Sequence, residues 1–227
     1  MATRATTPKR LPRRWRKRSS RGGSFVGGEV GGLKASEAGV AVWADGGERR
    51  ADHLVVAAGA WSRTLAKQAG DHVLLDTERG YHVVFPAAGG LLGRPVCYPA
   101  HGFYMTPMAD GLRAAGTVEL GGLAARPNPR RTEMIARVVP QLLPAVGEPT
   151  DTWLGFRPSM PDSPPVIGNS PSTPRVTYAF GHGHLGLTLA GITGLTVSEL
   201  IRGAPTSLDL SALRPNRFGR LGAELPR

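Results

Sequence analysis

Residues 181–186 read Gly-His-Gly-His-Leu-Gly, the G-x-G-x-x-G spacing of a dinucleotide-binding loop. Val-Thr-Tyr-Ala-Phe (176–180) precedes it with the β-branched and aromatic content of a strand. Residues 187–203 follow, long enough for a helix that Gly203 would close. A mononucleotide-binding unit also needs a second parallel strand ending in an acidic residue for the ribose. Only 24 residues follow Gly203, without an apolar run to make that strand, and Asp209 sits in a turn-rich tail. The match to a first Rossmann turn is therefore weak. A metal reading of His182 and His184 is poor as well, because no Cys, His or carboxylate cluster completes a site, and no metal is expected. A third use remains. A helix starting near Leu187 would aim unpaired N–H groups and a positive dipole end at whatever the glycines let approach.

Arg157 is the strongest single candidate outside that loop. It lies in Trp-Leu-Gly-Phe-Arg-Pro, where the proline stiffens the backbone beside a planar guanidinium that can hold a carboxylate with two parallel bonds. The competing reading is a structural ion pair to Asp162 or Glu119. Cys97, in Pro-Val-Cys-Tyr-Pro, reads as a buried strand residue with a packing role, and one cysteine excludes an internal disulfide framework and suits a reducing compartment.

The elements that must position these groups can be read from period and punctuation. Residues 41–57 suggest a hairpin through Asp45-Gly46-Gly47 running into a buried strand, Leu54 to Ala57, which ends in small residues and a short helix (63–70). Residues 81–86, 95–99, 103–107 and 112–120 read as four short antiparallel strands. Asn128 caps a helix opened by Pro129, with Met134, Ile135, Val138, Val139, Leu142 and Leu143 in one apolar stripe and Pro140 expected to kink or split it. The strand at 176–180 has no following partner and must pair with something earlier in the chain or absent from it.

The net charge of +11 resides mostly in residues 1–24, which carry nine Lys/Arg and no acid, so the remainder is close to balanced at +2. That start reads as a disordered basic tail able to touch phosphates nonspecifically, and no specific nucleic-acid partner is expected. No apolar run is long enough for a spanning helix, and no secretory signal is evident, so a cytoplasmic protein with at most peripheral contact at the inner membrane is expected.

Five segments in order, Val-Val-Ala-Ala-Gly-Ala-Trp-Ser (55–62), Arg-Gly-Tyr-His (79–82), residues 104–119, 153–168 and 179–194, resemble D-amino-acid oxidase-like FAD-dependent oxidoreductases, in particular D-amino-acid dehydrogenase small subunits. The resemblance covers about residues 25–218 and implies an α+β / α/β fold. It implies part of an FAD-binding domain (25–77 and 161–205), an antiparallel-sheet substrate domain (78–160) and a tail (206–227). The chain resembles the C-terminal portion of such an enzyme, lacking the Rossmann unit whose G-x-G-x-x-G grips the FAD pyrophosphate.

Carried onto these positions, the resemblance implies that Arg157 holds a substrate carboxylate, assisted by Tyr104. His184, His82 and Tyr81 would line the pocket. Gly183, His184, Gly186, Leu187 and Thr188 would meet the flavin ring, Ala58, Gly59 and Trp61 the phosphates or adenine, and Val30 the adenine edge. The implied reaction oxidises a D-amino acid such as D-alanine to a 2-oxo acid and ammonia, with electrons passing to an acceptor such as a quinone. Glycine- or sarcosine-type oxidation and a non-catalytic fragment are the alternatives. No catalytic acid or base is assigned.

Overall fold

A computed structural model describes residues 23–24, 26–45 and 47–219. The basic segment ascribed to 1–24 lies almost wholly outside the described residues, as do Gly46 of the hairpin turn and residues 220–227 of the tail.

Three antiparallel strands open the described chain: β1 (Val30–Ser36), β2 (Gly39–Ala44) and β3 (Gly47–Ala51), the last two forming the expected hairpin. β4 (Leu54–Val56) then enters a separate sheet, followed by a 3-10 turn (Gly59–Trp61) and helix α1 (Ser62–Gln68). The partner sought for residues 176–180 is β4. Strand β11 (Val176–Phe180) pairs in parallel with β4 on one side and antiparallel with β10 (Val166–Asn169) on the other. So β11 is the central strand, and the strand at the β4 end of this sheet is β4 itself, with Val55 partly exposed.

The larger sheet has the order β6-β7-β8-β5-β9, from β5 (Asp76–Phe85), β6 (Val96–Tyr98), β7 (Phe103–Met108), β8 (Gly111–Leu120) and β9 (Asp151–Ser159). Four of these match the expected short strands. β9 was masked in the sequence by its prolines and glycines. It is the edge strand beside β5, a place where Pro158 costs little pairing.

Helix α2 (Pro129–Leu142) covers one face of this sheet with Ile135, Val138 and Val139, whose burial contributes roughly 1.5–3 kcal/mol each. The Asn128 side chain accepts from Arg130 N–H at 3.2 Å, as a cap should. Pro140 does not split the helix, which runs on to Leu142. It lies two residues before the last, so it forfeits only one intrahelical bond. A second core lies under β4, β10 and β11 and includes Val56, Leu75, Val166, Val176, Tyr178 and Phe180.

Two further expectations need correction. Cys97 is exposed on β6 rather than buried, because its strand is the last of the sheet. Helix α3 (Ala190–Ile201) starts three residues later than Leu187, since residues 183–189 remain in turns. It does end as expected: Gly203 adopts φ 66° and Ala204 N–H bonds Glu199 C=O at 3.0 Å.

Candidate functional site

The site begins with strand alternation. In β5, Arg79 and Tyr81 point to the α2 side, whereas Gly80 and His82 face the other way. β9 pairs with this face in register: Gly155 opposite Gly80, Trp153 opposite His82, Arg157 opposite Glu78. Together with Ala115 of β8 and Gly183 and His184 of the glycine loop, they line a cavity of about 330 Å³. The facing glycines make its floor usable. A Cβ at Gly80 would lie 2.1 Å from an Arg157 nitrogen, and one at Gly155 would lie 2.2 Å from the Trp153 ring. Arg157 and Trp153 therefore lie flat across bare strand, and Trp153 stacks on His82 with ring centres 5.1 Å apart.

Arg157 is half-buried and donates from Nη1 to Thr117 C=O at 3.3 Å. Burial lowers its guanidinium pKa, and the nearby Glu78 carboxylate opposes that shift. The structural alternatives for it are already taken. Asp162 is held by Arg217 at 2.7 and 2.8 Å, and Glu119 by Arg79 and Arg131 at 3.3 and 3.6 Å. Among the described residues no carboxylate oxygen stands within 4.0 Å of the Arg157 nitrogens. A charged fork thus faces a cavity with no carboxylate in ion-pair contact among the described residues, Glu78 acting on it only from a longer range.

The glycine loop is brought there by β9. His182 bridges Ser159, and Gly183 N–H bonds Pro158 C=O at 2.8 Å. Gly181 (φ 84°) and Gly183 (φ 52°) supply the left-handed turns this return needs. His182 is a structural strut, with Nε2 3.0 Å from Thr193 Oγ1 of α3 and its pKa lowered by burial. His184 reaches the cavity and sits 3.7 Å from Glu78. Gly186, Leu187 and Thr188 form the outer part of the loop, with Leu187 86% exposed.

The other sequence candidates divide. Tyr81 borders the cavity, but its hydroxyl is committed on the α2 side. It donates to Glu119 at 2.5 Å and accepts from Asn128 N–H at 2.9 Å, so Tyr81 borders the cavity without offering it a free hydroxyl. Burial raises the Tyr81 phenol, and the Tyr81 hydrogen bond holds Glu119 below its ordinary range. Tyr104 does not line the cavity. It is 57% exposed on β7, opposite Cys97, whose hydrogen bond raises its pKa. It nevertheless shares a sheet face with the site through the cross-strand row Tyr104, Ala115, His82, Trp153.

A second, apolar groove of about 280 Å³ is lined by Val30, Leu33, Val42, Leu54–Ala58 and Leu65. Val30 and Ala58 are in its wall. Gly59 (φ 56°) and Trp61 follow in the adjoining turn, and the Trp61 ring meets Phe156 edge-on at 5.6 Å. Trp61 is 55% exposed, so it is not a core residue. The sequence reading missed Trp153, Gly155 and Thr117 as site residues, although Trp153, Gly155 and Arg157 carried a signal in their period-2 spacing.

The five-stranded sheet thus carries a cavity lined by Arg157, and the glycine loop that follows the parallel-paired β11 closes onto it. The chain belongs to the FAD dependent oxidoreductase (DAO) family, whose model matches residues 5–200. It is 38% identical over 212 residues to a D-amino-acid oxidase of Bradyrhizobium diazoefficiens, covering 87% of this chain and 48% of that protein. It is 33% identical over 197 residues to a D-amino acid dehydrogenase of Paramagnetospirillum magneticum, covering 85% and 44%. Among solved structures, glycine oxidase from Geobacillus kaustophilus superposes with a TM-score of 0.74 at 26% identity, covering 83% of this chain and 52% of that one. The chain spans about half the length of the curated relatives it matches. Among the described residues no helix is long and apolar enough to cross a membrane.

Proposed function

We propose that this chain supplies the substrate-binding half of an FAD-dependent oxidation of a small D-amino acid to a 2-oxo acid and ammonia. The observation that carries the reading is Arg157, a cation at the cavity wall with no carboxylate in ion-pair contact among the described residues. A carboxylate clamped there by paired hydrogen bonds fixes the position of Cα, and orientation of this kind is worth several powers of ten in rate. The stacked Trp153 and His82 rings offer a flat wall beside it.

FAD, when bound, would supply the two-electron oxidising power for the reaction. The residues fit its two ends. The apolar groove at Val30 and Ala58 suits a flat adenine ring, and the bare backbone at Gly183 lets a ring approach the cavity beside His184. Gly186, Leu187 and Thr188 would complete the ring contact, and Gly59 and Trp61 the adenine side. The electron acceptor, a quinone or another carrier, would meet the complete enzyme, with at most peripheral membrane contact. Glycine- or sarcosine-type oxidation is the second reading, favoured by the likeness to glycine oxidase. The relative kcat/KM for D-alanine, glycine and sarcosine separates the two.

The test is Arg157→Lys in this chain fused behind the amino-terminal half of its D-amino acid dehydrogenase relative. Replacing a two-pronged clamp by a point charge should cost about 1.5–3 kcal/mol, roughly 10- to 150-fold in kcat/KM for D-alanine. Unchanged kinetics with FAD retained would remove Arg157 from the carboxylate site.

A further inference from the structure

The backbone around Arg157 departs from what strand formation alone would choose. β5 and β8 pair Arg79 with Glu119 and Tyr81 with Gly116, so Gly80 stands opposite two residues, Thr117 and Val118. This is a bulge, and Thr117 takes φ 61°, a conformation that a β-branched residue adopts only at a cost. The surroundings hold it there. Thr117 N–H bonds Gly102 C=O at 2.9 Å. On the opposite face the fully buried Arg79 is 3.3 Å from Glu119, which also accepts from Tyr81. The bulge turns the Thr117 carbonyl onto Arg157 Nη1.

Gly80 is the converse case. Its φ is not in the left-handed region, so the backbone does not require a glycine there. What requires it is the neighbouring side chain. A Cβ at Gly80 would stand 2.1, 2.4 and 2.5 Å from Nη2, Cζ and Nη1 of Arg157, three guanidinium atoms at once. Strain is accepted at Thr117 and a side chain is given up at Gly80, and both concessions serve one guanidinium.

We propose that Gly80 and the bulged Thr117 carbonyl are a seat for Arg157, and that Gly80 is a positioning residue for binding a small amino-acid carboxylate. The seat holds the fork flat across β5 with one N–H engaged and the others free to take the ligand. This rests on the amino-acid reading of the cavity given above.

The experiment is a double-mutant cycle on the 227-residue chain with Gly80→Ala and Arg157→Ala, read by urea midpoint and by D-alanine titration. The expected result is a lowered midpoint for Gly80→Ala in the wild-type background and no lowering in the Arg157→Ala background, because the three nearest atoms to the added methyl all belong to the guanidinium. Gly80→Ala should also raise the D-alanine dissociation constant at least ~10-fold, the size of one charge-assisted hydrogen bond. If Gly80→Ala does not fold, adding Arg157→Ala restores folding. Equal effects of Gly80→Ala in both backgrounds, failure to restore folding, or unchanged D-alanine affinity would overturn the proposal. A wild-type chain with no saturable D-alanine binding but the expected midpoint coupling would instead sink the amino-acid reading, leaving the seat itself standing.

Discussion

Asp71 should be the most sensitive polar position in the fold. It is buried directly after α1, and its carboxylate joins segments about a hundred residues apart. One oxygen accepts from Tyr178 Oη at 2.6 Å and from Ser170 Oγ. The other accepts from Ser172 Oγ at 2.7 Å and Ser172 N–H at 3.2 Å. Tyr178 is fully buried in β11, and its pKa is pushed up by burial and then by the Asp71 bond. Asp71→Ala strands that hydroxyl, for roughly 1–3 kcal/mol, and removes three further charge-assisted contacts. Ser170 and Ser172 keep other partners, with Ser170 Oγ still accepting from Thr173 N–H and Ser172 Oγ donating to Gly70 C=O, each at 3.0 Å. The sum is therefore about 3–5 kcal/mol, a large part of a domain's total stability. Tyr178→Phe, which removes one donor, should cost only about 1–2 kcal/mol. Urea unfolding of the three proteins, followed by far-ultraviolet circular dichroism, measures both. If Asp71→Ala shifts stability by less than Tyr178→Phe does, Asp71 is not the hub described here.

Two other outcomes are expected. His53 and His182 both have pKa values held below the ordinary 6.5 by burial, so their folded-state stabilisation is complete above pH 6.5 and is lost as pH falls through their folded values. The urea midpoint should decline as pH falls below about 6.5, and His182→Gln should flatten that decline; an unchanged slope would place the titration elsewhere. The 227-residue chain on its own should purify colourless and show no D-alanine dehydrogenase activity with added FAD and a dye acceptor, since among the described residues the proposed groove and loop would meet just the two ends of the cofactor. A yellow protein with stoichiometric FAD would contradict this.

What could be read from the residues was what is local. The Asn128 cap, the stripe of α2, the hairpin at 41–51 and the Gly203 stop each depend on neighbours within a few positions, and each lies where expected. Facing was not readable. Arg79-Gly80-Tyr81-His82 must send alternate side chains to opposite faces, but only the docking of α2 decides that Tyr81 goes under the helix and His82 into the cavity. The start of α3 was missed for a related reason. Leu187-Thr188-Leu189 read as the first turn of the helix, yet the bonds from Gly183 and His182 to the end of β9 hold the preceding loop, and turns run on to Ala190. Asp71 carried no sequence signal, because its partners lie 99 to 107 positions away.

The same non-local logic joins the two concave regions. Val30 and Ala58 lie in the apolar groove, and Arg157 lies in the cavity; no stretch of sequence connects them. Trp61 does so in space. Its turn follows Ala58, and its ring meets Phe156, the residue before Arg157 and itself part of the cavity wall. Behind Phe156 stands the buried Arg79, with its guanidinium carbon 5.8 Å from the ring centre, tied in turn to Glu119 two residues from the Thr117 bulge. Groove, cavity wall and the support of the Arg157 seat thus share one packed chain of side chains. On the function proposed above, a cofactor reaching from the groove to the glycine loop would pass a surface already fixed relative to Arg157, the arrangement that oriented transfer from a bound substrate would require.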